Sequence, residues 1–239
     1  MTEFDFGAGP VPAHRHSNGG GWVADSANVD DSAYVGPNAQ VSGEAQVSGE
    51  ARVSGEAWVF GEAWVSGEAR VSGKARVSDK AWVSDKAQVF GKARVFGKAR
   101  VFGEAWVFGE SLVFGNAQVS GEAQVSGEAR VSDNAQIGTH ITGYPLEGVP
   151  VVAEMDKRIA EAVANGSLEM SEWHTCATTH CRAGWAITLA GEAGAALEKQ
   201  VGPWLAGALI YVASTGRTEV PNFFASNEAA LADIKARAK

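Results

Sequence analysis

Residues 41–64 read VSGEAQ VSGEAR VSGEAW VFGEAW, four copies of a hexad that opens on valine and places alanine four residues later. Outward from this stretch, valine recurs at every sixth position from Val23 to Val131, and Ile137 closes a series of twenty hexads. The alanine recurs with it and is replaced only by Ser111 and Ile141. A six-residue period fits neither an amphipathic helix nor a heptad, and a glycine in most hexads would destabilise a long helix by about 1 kcal/mol each. A short strand closed by a tight Gly or Asp corner repeats naturally at this length, and stacked repeats of that kind build a solenoid.

An aliphatic residue followed four positions later by a small one resembles the repeat of the hexapeptide-repeat family, also called the bacterial transferase hexapeptide family. The resemblance covers about half of the chain. It implies a mainly β fold, a left-handed parallel β-helix with three hexads per coil, in exception to the usual right-handed crossover. About six and a half coils of eighteen residues are then expected, stacked at roughly 4.8 Å, with valine inward on each flat face and alanine in the crowded corners. The expected organisation is an N-terminal cap over 1–22, the β-helix over 23–142, a linker over 143–149 and a small all-α domain over 150–239. An open terminal coil exposes apolar core and unpaired backbone, so GPVPAHRHSNGGGWV is read as its cover. His14 and His16 then belong to the cap or its surface rather than to a metal site.

With valine inward, the residues just before and after it face outward, and the eighteen-residue period sorts them onto three faces. One face carries Trp58, Phe60, Arg76, Arg94, Phe96, Leu112 and Phe114; the next carries Trp64, Trp82, Arg100 and Phe102; the third adds Phe90, Trp106 and Phe108. Gln and Ser dominate both ends of the repeat, so the aromatic surface is confined to the middle and later coils. Aromatic rows on adjacent coils exceed what monomers leave wet. Trp58, Phe60, Trp64, Trp82, Phe102, Trp106, Phe108 and Phe114 are therefore the expected interface of a homo-oligomer, with the family resemblance favouring a trimer of parallel axes and a dimer or packing by the C-terminal domain as the alternatives.

Three residues after each valine the corners read Glu44, Glu50, Glu56, Glu62, Glu68, then Lys74, Lys80, Lys86, Lys92, Lys98, then Glu104 and Glu110. One coil apart, Glu56 meets Lys74, Glu62 meets Lys80, and Lys86 lies between Glu68 and Glu104. The plain reading is a ladder that fixes register, each exposed pair contributing only about 0–1 kcal/mol. The sharper one is an anion site, because Lys74 with Lys92 and Lys80 with Lys98 are like-charge neighbours close to Arg76, Arg94, Arg100, Phe90 and Phe96. Such a cluster suits an anionic small molecule or an acidic protein.

The chain has a formal charge of −8, 45% hydrophobic residues and two cysteines. Residues 1–148 hold 12 Lys and Arg against 18 Asp and Glu, a net of −6, and the remainder holds 8 against 10, a net of −2. Neither part has the balance of a nucleic-acid binder. No leader or membrane-spanning stretch is evident and the cysteines do not make a disulfide framework, so a soluble cytoplasmic protein is expected. An acyltransferase of this family needs a histidine base and usually a loop that interrupts the coils. Here no loop breaks the hexads, and His140, at the end of the repeat, is the lone histidine of the later coils. A non-catalytic scaffold or binding protein is the expectation, and acyl transfer the alternative. The outward rows also lack the threonine pairs of an ice-binding face.

Beyond Gly148 four helices are expected, with Val152, Ile159 and Val163 along one face of the first, Gly166 as its C-cap and Asn227 as N-cap of the last. The stretch WHTCATTHCRAGW, residues 173–185, resembles a motif in uncharacterised helical domains of bacterial and phage proteins, which implies no activity. Its His174, Cys176, His180 and Cys181 are the candidate ligands for a zinc cofactor. Their H-x-C-x3-H-C spacing is not a standard zinc pattern, and packing with capping threonines is the plainer reading. A Cys181 nucleophile with His174 or His180 as base, and a redox pair, are the remaining alternatives there.

Overall fold

A computed structural model of the chain describes residues 2–165, 167–170, 174–176 and 179–239, with backbone alone at 167, 174–176 and 179. It divides into two compact units, Met1–Ile137 and Gly138–Lys239.

The first unit is a parallel β-solenoid of about 6 turns. Each hexad contributes a two-residue strand ending on its valine, as in Trp58–Val59, Trp64–Val65 and Arg70–Val71. Each strand pairs in parallel with the one eighteen residues on: Trp64 lies beside Trp82, and Val65 beside Val83. Three hexads therefore complete a turn, and the three strands above belong to a first, second and third face. The ladder is continuous, with Trp64 N–H donating to Ala81 O at 2.9 Å and Ser66 N–H to Val83 O at 2.9 Å. Val41 to Val125 and the alanines between Ala39 and Ala117 are wholly buried. Ser111 takes an alanine position without leaving its hydroxyl orphaned, because Oγ donates to Phe108 O at 2.8 Å.

The corners need left-handed backbone. At Gly73 φ is +67°, and a Cβ there would approach the Gly91 N and O atoms to 3.0 Å. Asp79 and Asp85 hold the same conformation at φ 57° and 58°. Asp tolerates this region better than most residues. Each carboxylate also meets an amide of the next turn, Gly97 N–H to Asp79 Oδ2 at 2.9 Å and Gly103 N–H to Asp85 Oδ2 at 3.0 Å.

The N-terminal end is closed by a hairpin of strands Glu3–Asp5 and Pro10–Arg15, which pairs antiparallel with Trp22–Ala24 at the edge of the first face. Phe6, Ala13 and Ala24 are buried in it, with Phe4, Trp22 and Trp58 packed against them. Arg15 lies over the Trp22 ring at 4.1 Å and donates to Gly20 O and Pro37 O. His16 is buried with Nε2 3.0 Å from Ala33 O, and His14 Nδ1 lies 2.8 Å from Asp25 Oδ1.

The second unit contains five helices among the described residues: α1 (Met155–Asn165), α2 (Arg182–Leu189), α3 (Gly191–Val201), α4 (Pro203–Thr215) and α5 (Asn227–Arg237). It also holds a small sheet of Ser167–Leu168, His174–Cys176 and Thr179–His180. The stretch THCRAGWAITLAGEAGAALEKQVG, residues 179–202, reads as one of the four expected helices, but Gly191 at φ +63° separates α2 from α3 within it. Apolar α4 is buried from Trp204 to Val212, and Gly207 permits its close approach to α2, since a Cβ there would lie 2.6 Å from Ala183 Cβ. Val152 and Ile159 are buried and Val163 half-buried. Ser226, not Asn227, caps α5 through a bond from Ala229 N–H, while Asn227 Oδ1 accepts from Met170 N–H at 2.7 Å. The expected C-cap, Gly166, lies outside the described residues. No described helix is long and apolar enough to cross a membrane.

Candidate functional site

In-register parallel strands repeat side chains at the coil spacing, which is also the distance at which aromatic rings stack. On the second face the Trp64 and Trp82 rings lie 5.2 Å apart and 8° from parallel, and Arg100 sits 4.7 Å above Trp82. At the corners, Phe90 stacks on Phe108 at 4.8 Å and Phe96 on Phe114 at 5.1 Å. Phe60 leans on Trp58 at 4.5 Å, and Phe102 lies beneath the Arg100 guanidinium at 5.7 Å.

Serine hydroxyls of the preceding turn orient the indoles. Trp58 Nε1 donates to Ser42 Oγ at 3.0 Å, Trp82 to Ser66 at 3.4 Å and Trp64 to Ser48 at 3.5 Å, each sixteen residues back. Phe90 occupies that place for Trp106, and the two rings meet edge to face at 6.1 Å. Rings stacked along the rod turn their faces to one another and their edges to the surface. Trp64 remains 42% and Trp106 39% exposed. Trp58 differs from the other expected interface residues because the N-terminal hairpin already packs against it.

The basic residues separate into two sets. Lys74 pairs with Glu56 at 3.5 Å, Lys80 with Glu62 at 3.2 Å, Lys86 with Glu104 at 3.5 Å and Lys92 with Glu110 at 2.7 Å. The Lys92–Glu110 hydrogen bond, aided by their charges, raises the lysine and lowers the glutamate from their ordinary pKa values, although both are fully exposed. Among the described residues Lys98, Glu44 and Glu68 form no ion pair, and Asn116 stands where an acid would meet Lys98. Arg76, Arg94 and Arg100 likewise form none; they lie over Trp58, Phe96 and Trp82 respectively. Of the expected anion cluster, Lys74, Lys80 and Lys92 are thus engaged with acids, while the three arginines and Lys98 keep their charge uncompensated. Phe90 belongs to the third face and Arg94 to the first, so the cluster is spread around the rod rather than gathered in one cavity.

In the second unit Cys181 is the N-cap of α2, its Sγ accepting from Gly184 N–H at 3.4 Å. Burial pushes its thiol up from the ordinary value. That opposes the thiolate which either a nucleophile or a zinc ligand needs. His180 is buried and meets the Trp185 ring edge-on at 4.7 Å. Backbone pairing sets His174 opposite His180, but the side chains of His174 and Cys176 lie outside the described residues. His140 Nδ1 lies 3.3 Å from Thr139 Oγ1, and its backbone bridges to Glu219.

Sequence reasoning missed a polar network in this unit. Asp156 accepts from Tyr211 Oη at 2.8 Å and Arg217 at 2.9 Å; buried Arg182 pairs with Asp233, which Arg237 also holds at 2.8 Å. Burial raises the Tyr211 pKa, and the Asp156 carboxylate adds to the shift. These residues come from four helices and a loop, so no local motif announces them. An apolar cleft of about 600 Å³ between α1 and α5, lined by Val163, Leu168, Leu231 and Ile234 among others, was equally invisible.

Compared with known proteins, the chain matches a family model described as the YdcK beta solenoid repeat over residues 45–61 and 123–139. No curated protein and no solved structure matches. The two matched stretches stand on either side of the coils that carry the five lysines, and they identify a β-solenoid repeat type without an associated chemistry.

Proposed function

We propose that this chain is a non-catalytic, self-associating scaffold or binding protein of hexapeptide-repeat type, whose middle coils provide the interface. The Trp64–Trp82 stack carries this reading: a large apolar group held on a rigid, flat face yet left substantially wet. Interfaces cover such surfaces, and rigid rows lose little freedom when they dock. Arg76, Arg94 and Arg100 add cationic character that suits a carboxylate on the partner. The ladder runs from Val23 to Ile137 without an inserted loop, and both cap histidines are engaged structurally. The buried Cys181 thiol, which caps α2, is in keeping with a reducing cytoplasm.

Native mass spectrometry of the purified chain tests the proposal. A multimer is expected, shifting toward monomer in the Trp64→Gln/Trp106→Gln variant while its circular dichroism stays unchanged. A wild-type monomer at tens of micromolar, on the order of the weakest stable assemblies, would overturn self-association. Acyl transfer from a coenzyme A donor, abolished by His140→Ala, would overturn the non-catalytic part.

A further inference from the structure

We infer that the second face docks on the same face of a second copy, with the rods antiparallel and a twofold axis between the Trp64 and Trp82 coils. This rests on the self-association proposed above and assigns its geometry. Four successive coils define the face. Its leading edge reads Glu44, Glu62, Lys80, Lys98, and its centre reads Gln46, Trp64, Trp82, Arg100. Its trailing edge reads Glu50, Glu68, Lys86, Glu104.

A twofold axis lying in the interface and across the rods reverses each column while keeping each edge against itself. An isologous contact needs a pattern that is self-complementary under this operation. The leading edge has it: Glu62 meets Lys80 of the second copy, Glu44 meets its Lys98, and both pairs repeat by symmetry. At the centre Trp64 meets Trp82, and Gln46 meets Arg100. On the trailing edge Glu68 meets Lys86, and only Glu50 with Glu104 is like-charged, where Glu104 is already paired with Lys86 of its own chain. Glu44, Glu68 and Lys98 form no ion pair within the described chain, and this arrangement gives each an opposite charge.

Other arrangements lack this match. Parallel in-register rods set leading edge against trailing edge, which brings Glu44 against Glu50, Glu62 against Glu68 and Lys80 against Lys86, with opposite charges only at Lys98 and Glu104. Reversing the third face about the same level sets Lys74 against Lys92 and Glu56 against Glu110. The first face is obstructed, because the hairpin brings Gly7 against Trp58, with a Cβ position 3.8 Å from the ring. Residues 70–100 hold nine basic and two acidic residues, so charge is segregated along the rod strongly enough to set orientation.

Zero-length carbodiimide cross-linking of the full chain, followed by peptide mapping, reads the geometry directly. An amide between Glu44 and Lys98 is expected. Within one copy three coil steps, about 14 Å at the sheet spacing, exceed the combined reach of the two side chains. Sedimentation should show Lys98→Glu weakening the dimer roughly tenfold or more. Adding Glu44→Lys to the same chain should restore it, and circular dichroism reports whether each variant keeps its fold. A multimer without the Glu44–Lys98 link and without rescue overturns the antiparallel geometry and leaves self-association standing. A wild-type monomer overturns both.

Discussion

Asp79 offers a measurement of what a solenoid corner requires. It combines a left-handed backbone, φ 57°, with a carboxylate 2.9 Å from Gly97 N of the next turn. Asp79→Gly removes the carboxylate but relieves the backbone; Asp79→Ala removes the carboxylate and keeps a Cβ where left-handed geometry disfavours it. The lost hydrogen bond is worth about 0.5–1.5 kcal/mol. Left-handed backbone costs an ordinary L-residue about 1–2 kcal/mol, offset in part by the greater freedom glycine has when unfolded. Asp79→Gly should therefore lie within about 1 kcal/mol of wild type, and Asp79→Ala about 1 kcal/mol below the glycine variant. Guanidinium unfolding followed by circular dichroism gives these values from shifts of midpoint at constant slope. Asp85, with its bond to Gly103 N at 3.0 Å, provides an independent replicate. Equal stability of the alanine and glycine variants, or an advantage for alanine, at both sites would refute the backbone argument.

Two further predictions concern the helical unit. Burial pushes the Asp233 carboxyl up, but hydrogen bonds and charge from Arg182 and Arg237 outweigh it and hold the pKa below the ordinary value. Its contribution to stability is then present above the unfolded value near about 3.9 and lost as pH falls through the folded one. Asp233→Asn should lower stability at neutral pH and flatten the acid limb of melting temperature against pH; an unchanged limb would count against the assignment. At the start of α2, Cys181→Ala should destabilise by about 0.5–2 kcal/mol through loss of the cap, whereas Cys181→Ser keeps an acceptor and most of the stability. Chemical denaturation compares them, and equal loss in both variants would show that the thiol packs rather than caps.

The sequence was most legible where a short period repeats. Valine and alanine at fixed places in twenty hexads imply a strand and a corner, the resemblance to hexapeptide repeats implies three hexads per turn, and the parallel i to i+18 ladder agrees with both. The pairings of Lys74 with Glu56 and Lys80 with Glu62 were readable for the same reason. Legibility declined where two partners stand at equal separation: Lys86 reaches Glu104 rather than Glu68, a choice made by side-chain geometry alone. The serine acceptors sixteen residues before Trp58, Trp64 and Trp82 were not read, because they depend on how each indole lies across the preceding turn.

By itself the sequence determined the solenoid, its buried columns and the confinement of aromatic and basic residues to the middle coils. Local periodicity suffices for these, since each turn contacts only its neighbours. Tertiary structure decided which charges are neutralised, which rings turn their faces to one another, and that the N-terminal hairpin packs against Trp58 while Trp64 stays wet. It also decided the helical network, where Asp156, Arg182, Tyr211 and Asp233 converge from distant positions. Burial of Arg182 and Asp156 leaves those charges dependent on partners that no spacing rule supplies.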